Sequence, residues 1–114
     1  MKAIEEGGIW AVFATDNYYA GDVIHFLSIR DDVGARSRHS IEIHFEGKEY
    51  HIDDKVLRYM NHSFTPNCHI TAEGTVFAVK DIYVGDELTF NYLTTESKIQ
   101  EPFFDVTTGI KVKK

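Results

Sequence analysis

Residues 58–67 read Arg58-Tyr59-Met60-Asn61-His62-Ser63-Phe64-Thr65-Pro66-Asn67, and residues 85–92 read Gly85-Asp86-Glu87-Leu88-Thr89-Phe90-Asn91-Tyr92. The first stretch sets directed hydrogen-bonding groups beside aromatics and a proline, a mixture that a plain strand does not need. Asn61 brings a donor and an acceptor, and His62 offers ring and backbone groups together. A loop whose Asn and Ser side chains satisfy their local backbone would account for the same composition. Taken alone, the second stretch is an aromatic-rich strand suited to a core.

Outward from these stretches the apolar period is that of strands. Ile41-Glu42-Ile43-His44-Phe45 alternates, Glu46-Gly47-Lys48-Glu49 supplies a turn, and Tyr50-His51-Ile52 resumes the alternation, which predicts a hairpin. A second hairpin is predicted from His69–Ala72 through Glu73-Gly74 into Thr75–Val79. Strands also suit Trp10–Ala14, Val23–Leu27 and Glu87–Tyr92, and no segment keeps a helical period for three turns, so helices are expected to be few and short. The fold class is mainly β.

Val12-Phe13-Ala14 and Val76-Phe77-Ala78 stand 64 positions apart and are each followed, at equal spacing, by Tyr-x-Gly-Asp and then Phe: Tyr19-Ala20-Gly21-Asp22 with Phe26, and Tyr83-Val84-Gly85-Asp86 with Phe90. The unit occurs only twice, so it predicts two strand–turn–strand pieces of one domain rather than a solenoid. The competing explanation is a coincidence between two common turn patterns.

The chain has 114 residues, 43% hydrophobic and 26% charged, which fits one globular domain with a packed core. Its single cysteine, Cys68, excludes an internal disulfide and a cysteine-based zinc cluster, and suits a reducing intracellular setting of unspecified compartment. Eighteen acidic residues against 12 Lys and Arg give a net charge of -6, with a basic run only at Lys111, Lys113 and Lys114. Direct nucleic-acid binding is therefore disfavoured, while a basic peptide is electrostatically acceptable. No window approaches the ~18 consecutive apolar residues of a membrane span, and Met1–Glu6 lacks the apolar centre of a signal peptide, so a soluble protein is expected.

Asn61-His62-Ser63-x-x-Pro66-Asn67 followed by Gly85-Asp86-Glu87-Leu88-Thr89-Phe90-Asn91-Tyr92 resembles the signature of SET-domain protein lysine methyltransferases. Further elements of that family match in order: Gly8-Ile9-Trp10-Ala11-Val12-Phe13-Ala14, Gly21-Asp22-Val23-Ile24 and Tyr50-His51-Ile52-Asp53. The resemblance covers residues 7–93 and implies one SET domain over 1–114, with 94–114 as a C-terminal segment. It implies a β-clip of several short curved sheets, in which the Asn-His segment and the C-terminal segment form a pseudoknot.

S-adenosylmethionine is the implied donor and a lysine in a protein or peptide, a histone-like tail among the candidates, the implied acceptor. By the same resemblance, the backbone around Gly8, Ile9 and Trp10 would hold the donor's methionine end, and Asn61 and His62 its polar atoms and adenine. Tyr92 matches the catalytic tyrosine and also borders the donor. Phe90 matches the position that sets methyl number, and as a phenylalanine it implies di- or trimethylation. Tyr59, Phe64, Phe90, Phe103 and Phe104 would line the lysine channel. Methyl transfer of this kind needs alignment and an amine stripped of its proton, which an aromatic, desolvated channel favours.

Departures from the pattern carry information. Many members place cysteine after Asn-His-Ser and three more in the tail, and these bind a structural zinc. Here Phe64 stands at the first position and the tail has no cysteine, which predicts a zinc-free lid in which Phe64 packs on Phe103 or Phe104. No metal site is expected. Ala11 replaces a glycine, Asn91 a common aspartate, and no tyrosine lies between His39 and Phe45 where the family has a further channel tyrosine. His44 and His51 fall on the polar face of one hairpin; lacking a third ligand, they are expected to be exposed polar residues. Cys68 is expected to be inert, and Tyr18 and Tyr19 to serve packing and turns. The competing functions are a catalytically inactive SET-fold module that holds peptide or donor, and a structural all-β domain whose tail pairs with another subunit; a homodimer is a separate expectation.

Overall fold

The computed structural model describes residues 1–94 and, as backbone alone, the strand residues 103–104 and 111–112. In chain order the strands are β1 (Lys2–Glu6), β2 (Ile9–Phe13), β3 (Val23–Phe26), β4 (Ile41–Phe45), β5 (Lys48–Ile52), β6 (Asn61–His62), β7 (Cys68–Ile70), β8 (Thr75–Ala78), β9 (Glu87–Phe90), β10 (Phe103–Phe104) and β11 (Lys111–Val112). Helix is limited to three 3-10 turns at Ile29–Asp31, Leu57–Tyr59 and Tyr92–Thr94. The mainly β expectation holds, and both predicted hairpins form. β4 and β5 close over Glu46 and Gly47, both at positive φ, while β7 and β8 are antiparallel with Ile70 opposite Val76.

Most expected strands shift by a residue or two at their ends, and two differences matter more. β1 was not expected: Lys2-Ala3-Ile4-Glu5-Glu6 shows little alternation, but it pairs along its length with β2 through a turn at Gly7-Gly8. The strand expected to run through Tyr92 ends at Phe90, and Tyr92 begins a 3-10 turn instead. Tyr92 contributes its amide to the ring of His62 rather than to a ladder.

The strands form small separate sheets. One has the order β1-β2-β9-β6, a second β3-β8-β7, and β4-β5 stands as a hairpin. β6 lies parallel to β9, with Asn61 opposite Thr89 and His62 opposite Phe90. Parallel strands cannot be joined by a tight turn. The chain between them goes out through β7 and β8 and returns, which brings the two signature stretches side by side. These are the segments from which the resemblance expects a pseudoknot.

The internal repeat is a structural pseudo-dyad. Tyr18 and Ile82, 64 positions apart, exchange both backbone hydrogen bonds at 2.8 Å. Around that pair the loop bonds between the two units come in matched couples. Gly21 N donates to Ala78 O and Ala78 N to Asp22 O, while Gly85 N donates to Ala14 O and Ala14 N to Asp86 O. Ala20 N reaches Asp81 Oδ1 and Val84 N reaches Asn17 Oδ1. Asp22 and Asp86 each close their own turn by accepting the amide of Tyr19 or Tyr83. The two units are thus clasped turn-to-strand, and seven matched sequence positions were the trace of this contact rather than coincidence.

Between the sheets lies one core of Val12, Ile43, Ile52, Leu57, Met60, Ile70, Val76, Ile82, Leu88 and Phe90, with Cys68 among them. Each fully buried aliphatic is worth about 1.5–3 kcal/mol against exposure. Gly74 sits at φ 94 where β7 turns into β8, and a Cβ there would lie 3.2 Å from Leu27 Cβ and 3.3 Å from Ile43 Cδ1. Both the turn and the core beneath it require a glycine. Among the described residues, no helix is long and apolar enough to cross a membrane.

Candidate functional site

The approach to the Asn-His strand is fixed by a buried carboxylate. Asp54 Oδ1 accepts from the amides of Val56 and Leu57, both at 2.9 Å, and so ties down the entry to the 3-10 turn Leu57–Tyr59. Its Oδ2 lies 2.8 Å from His25 Nε2 on β3. Burial pushes this carboxyl up, but the Leu57 amide, His25 and the Val56 amide together outweigh it and hold the group below the ordinary aspartate range. The turn then delivers Tyr59, Met60, Asn61 and His62 in succession.

Asn61 ties three elements together. Its Nδ2 donates to Trp10 O on β2 at 3.1 Å and to Glu87 Oε2 on β9 at 3.0 Å. Beside it the Trp10 ring stacks on Tyr59, with centroids 4.2 Å apart and planes 18° from parallel, and the Arg58 guanidinium lies 5.5 Å from the Tyr59 centroid. Ile9 and Trp10 are both exposed. Gly8 occupies the hairpin turn, where its amide donates to Glu5 Oε1 at 2.8 Å. A Cβ on Gly8 would meet nothing within 4 Å, so its glycine is required by φ 82 alone.

On the other side of the Asn-His strand, aromatic rings gather. Tyr92 N donates to His62 Nδ1 at 3.1 Å, and Tyr92 Oη donates to Met60 O at 2.7 Å. The Tyr92 ring lies 5.2 Å from His62 and 4.7 Å from Phe90, and Phe64 sets its edge against His62 at 4.5 Å. Phe90 is only 3% exposed. The result is a run of ring contacts, Phe64 on His62, His62 on Tyr92 and Tyr92 on Phe90, with the Tyr92 hydroxyl directed by a backbone carbonyl.

The residues expected from sequence therefore fall into two groups joined through Met60-Asn61-His62. Gly8, Ile9, Trp10 and Asn61 form one; His62, Phe64, Phe90 and Tyr92 form the other. Tyr59, expected among the channel rings, stacks on Trp10 in the first group. The expected packing of Phe64 on Phe103 or Phe104 concerns side chains outside the described residues.

Several contributors escaped the sequence reading. Asn67 clasps β9, its Nδ2 donating to Glu87 O at 2.8 Å and its Oδ1 accepting Thr89 N at 3.0 Å. Glu87, Asp54 and the Met60 carbonyl were missed as well. Asn67 and Glu87 stood inside the quoted motifs, whereas the roles of Asp54 and Met60 depend on tertiary placement and left no local mark. Cys68 is buried, and burial pushes its thiol up to about 12, as an inert residue requires.

The SET-domain family profile matches residues 9–93, most of the chain. No curated protein matches it. Among solved structures, Chaetomium thermophilum Polycomb Repressive Complex 2 in an autoinhibited conformation bound to S-adenosylmethionine shares 18% identity at a TM-score of 0.57, over 90% of this chain and 18% of that one. A crystal structure of the same complex gives 20% and 0.55 over 90% and 17%, and its apo autoinhibited state 19% and 0.56 over 96% and 19%. This chain thus spans under a fifth of the length of those chains, and the likeness is one of fold. The matched region begins at the hairpin bearing Trp10, crosses the parallel Asn-His strand and ends at the turn bearing Tyr92: the chain belongs to the SET-domain family.

Proposed function

We propose that this chain transfers methyl groups from S-adenosylmethionine to the side-chain amine of a lysine in a protein substrate. The observation that carries the proposal is the Tyr92 hydroxyl, held on Met60 O at 2.7 Å and carried by a ring packed against His62 and Phe90. With its proton committed to a carbonyl, Oη faces any other group as an acceptor, suited to orient the N–H of a substrate amine.

The polar groups present suit the donor. Both Nδ2 protons of Asn61 are used within the protein, which leaves Oδ1 as the acceptor for a ligand's ammonium. Ile9 and Trp10 offer exposed apolar and aromatic surface on the adjoining hairpin. Gly8, Ile9 and Trp10 would hold the methionine end, and Asn61 and His62 the polar atoms and adenine. Bound there, S-adenosylmethionine supplies a methyl group activated by its sulfonium.

The protein's own task is to present a neutral amine. A free lysine has a pKa near 10.4, so it arrives protonated, and ring-lined, desolvated surroundings weaken the ammonium form. Ring faces tolerate the methylated cation that results. Phe90 brings no hydroxyl to this space, which supports di- or trimethylation. A net charge of -6 supports a basic, lysine-bearing partner.

Incubation of the full chain with S-adenosylmethionine and a panel of lysine peptides, read by mass spectrometry, tests the proposal. Methylated peptide is expected with the wild type and not with Tyr92→Phe. Donor binding without transfer to any peptide would instead indicate an inactive binding module. The buried Ala11, standing where the family has glycine, favours that second reading.

A further inference from the structure

We propose that the outer edge of β1 is a docking surface for a second copy of this chain, the two β1 strands pairing antiparallel about a twofold axis at Ile4. β1 is the outer strand of the β1-β2-β9-β6 sheet, and among the described residues its strand neighbour is β2 alone. The β1–β2 hairpin closes over Gly7 and Gly8, both at positive φ. In a two-residue hairpin the flanking pair, here Glu6 and Ile9, exchanges both ladder bonds, and bonded and non-bonded pairs then alternate along the strands. Lys2, Ile4 and Glu6 therefore direct their backbone groups to β2. Ala3 and Glu5 turn theirs outward, where an added strand meets them.

The side chains select the occupant. Lys2, Ile4 and Glu6 share one face of β1, opposite the face on which Ala3 packs against the core. Set antiparallel to itself about Ile4, the strand places Lys2 of each copy opposite Glu6 of the other and Ile4 opposite Ile4. The same register places Ala3 opposite Glu5, so the outward backbone groups of the two copies exchange ladder bonds. A centre at Glu5 would instead oppose Glu5 to its own copy, a like-charge contact. Charges on an edge strand ordinarily discourage pairing. Here they stand at equal spacing on either side of Ile4 with opposite sign, which rejects other strands and fits this one. Ile4 is 40% exposed, and Lys2 and Glu6 are exposed and make no ion pair among the described residues. The β4–β5 hairpin differs: its Glu42 and His51, the latter expected to be exposed, are buried beside Arg36 and Glu49. Next to β1, Ile4, Phe13 and Val84 line a concavity of about 450 Å3. The axis brings the two concavities together on one face of a continuous sheet, and pairing takes their apolar surface out of water.

Sedimentation velocity of the full chain, over a series from micromolar to millimolar concentration, tests the surface. A reversible dimer that grows with concentration is expected. Lys2→Glu opposes two carboxylates at both ends of the paired strands and is expected to raise the dimer Kd by roughly fivefold or more. Adding Glu6→Lys to it exchanges the two charges and is expected to return Kd to within about twofold of the wild type. Both positions are exposed, so each variant is expected to keep the fold, as circular dichroism checks. A folded wild-type chain that stays monomeric across the series overturns the proposal. So does a dimer whose Kd Lys2→Glu leaves unchanged, or one that the paired exchange does not restore.

Discussion

The Tyr92 hydroxyl and the Met60 carbonyl, 32 positions apart in the chain, are joined by a hydrogen bond of 2.7 Å. It fixes the tyrosine ring against His62 and Phe90 and couples the end of the C-terminal signature to the residue before the Asn-His strand. A hydroxyl held this way is already oriented before substrate arrives, which is where preorganised groups gain over water.

Tyr92→Phe removes that one oxygen and keeps the ring. Methyl transfer is expected to fall by roughly a hundredfold or more, the usual scale for losing an oriented polar group at a reacting centre. Stability should fall by only about 1 kcal/mol, since one carbonyl loses its partner. Thermal unfolding and single-turnover transfer together separate the two effects; full activity in the folded variant would remove Tyr92 from the chemistry.

Phe90→Tyr adds a hydroxyl to a ring whose centroid lies 4.7 Å from that of Tyr92. Mass-resolved products are expected to shift toward monomethyl-lysine, because the added oxygen and its hydration occupy room that further methyl groups would need. An unchanged distribution would mean that Phe90 does not limit methyl number.

Asp54 links acid stability to the site. Its folded pKa lies below its unfolded value near 3.9, so its contribution is complete above that value and is lost as pH falls through the folded pKa. Asp54→Ala is expected to cost about 2 kcal/mol at neutral pH, through the two lost amide bonds and the lost His25 contact. Denaturant curves should show the gap between wild type and variant narrowing below about pH 4. A gap that stays constant across this range would mean that the carboxylate charge is not what stabilises the turn.

Gly74 and Gly85 both sit at positive φ, but only Gly74 has core atoms within 4 Å of a built Cβ. Gly85→Ala is expected to cost about 1 kcal/mol of backbone strain. Gly74→Ala should cost at least about 1 kcal/mol more, because Leu27 and Ile43 must yield as well. Equal losses in urea unfolding would show that the core gives way freely at this corner.

Much of this was legible in the sequence because it is written locally. Alternation marked β4 and β5, acidic-Gly pairs marked their turns, and the doubled Tyr-x-Gly-Asp marked the pseudo-dyad at Tyr18 and Ile82. Local signals fail where tertiary contact decides. β1 is a strand because β2 offers it an edge, and Tyr92 leaves the ladder because the His62 ring accepts its amide. Glu42 follows the alternation of its strand but is buried, in an ion pair with Arg36 that the alternation does not announce. The stacking of Tyr59 on Trp10 joins residues far apart in the chain and has no one-dimensional trace.

The central claim is that the surface formed by Trp10, Asn61 and His62 binds a methyl donor, and isothermal calorimetry of the full chain with S-adenosylmethionine tests it most directly. Saturable one-to-one binding is the predicted result, weakened at least tenfold in Asn61→Ala. A wild-type chain that is folded and gives no binding heat at millimolar donor would contradict it.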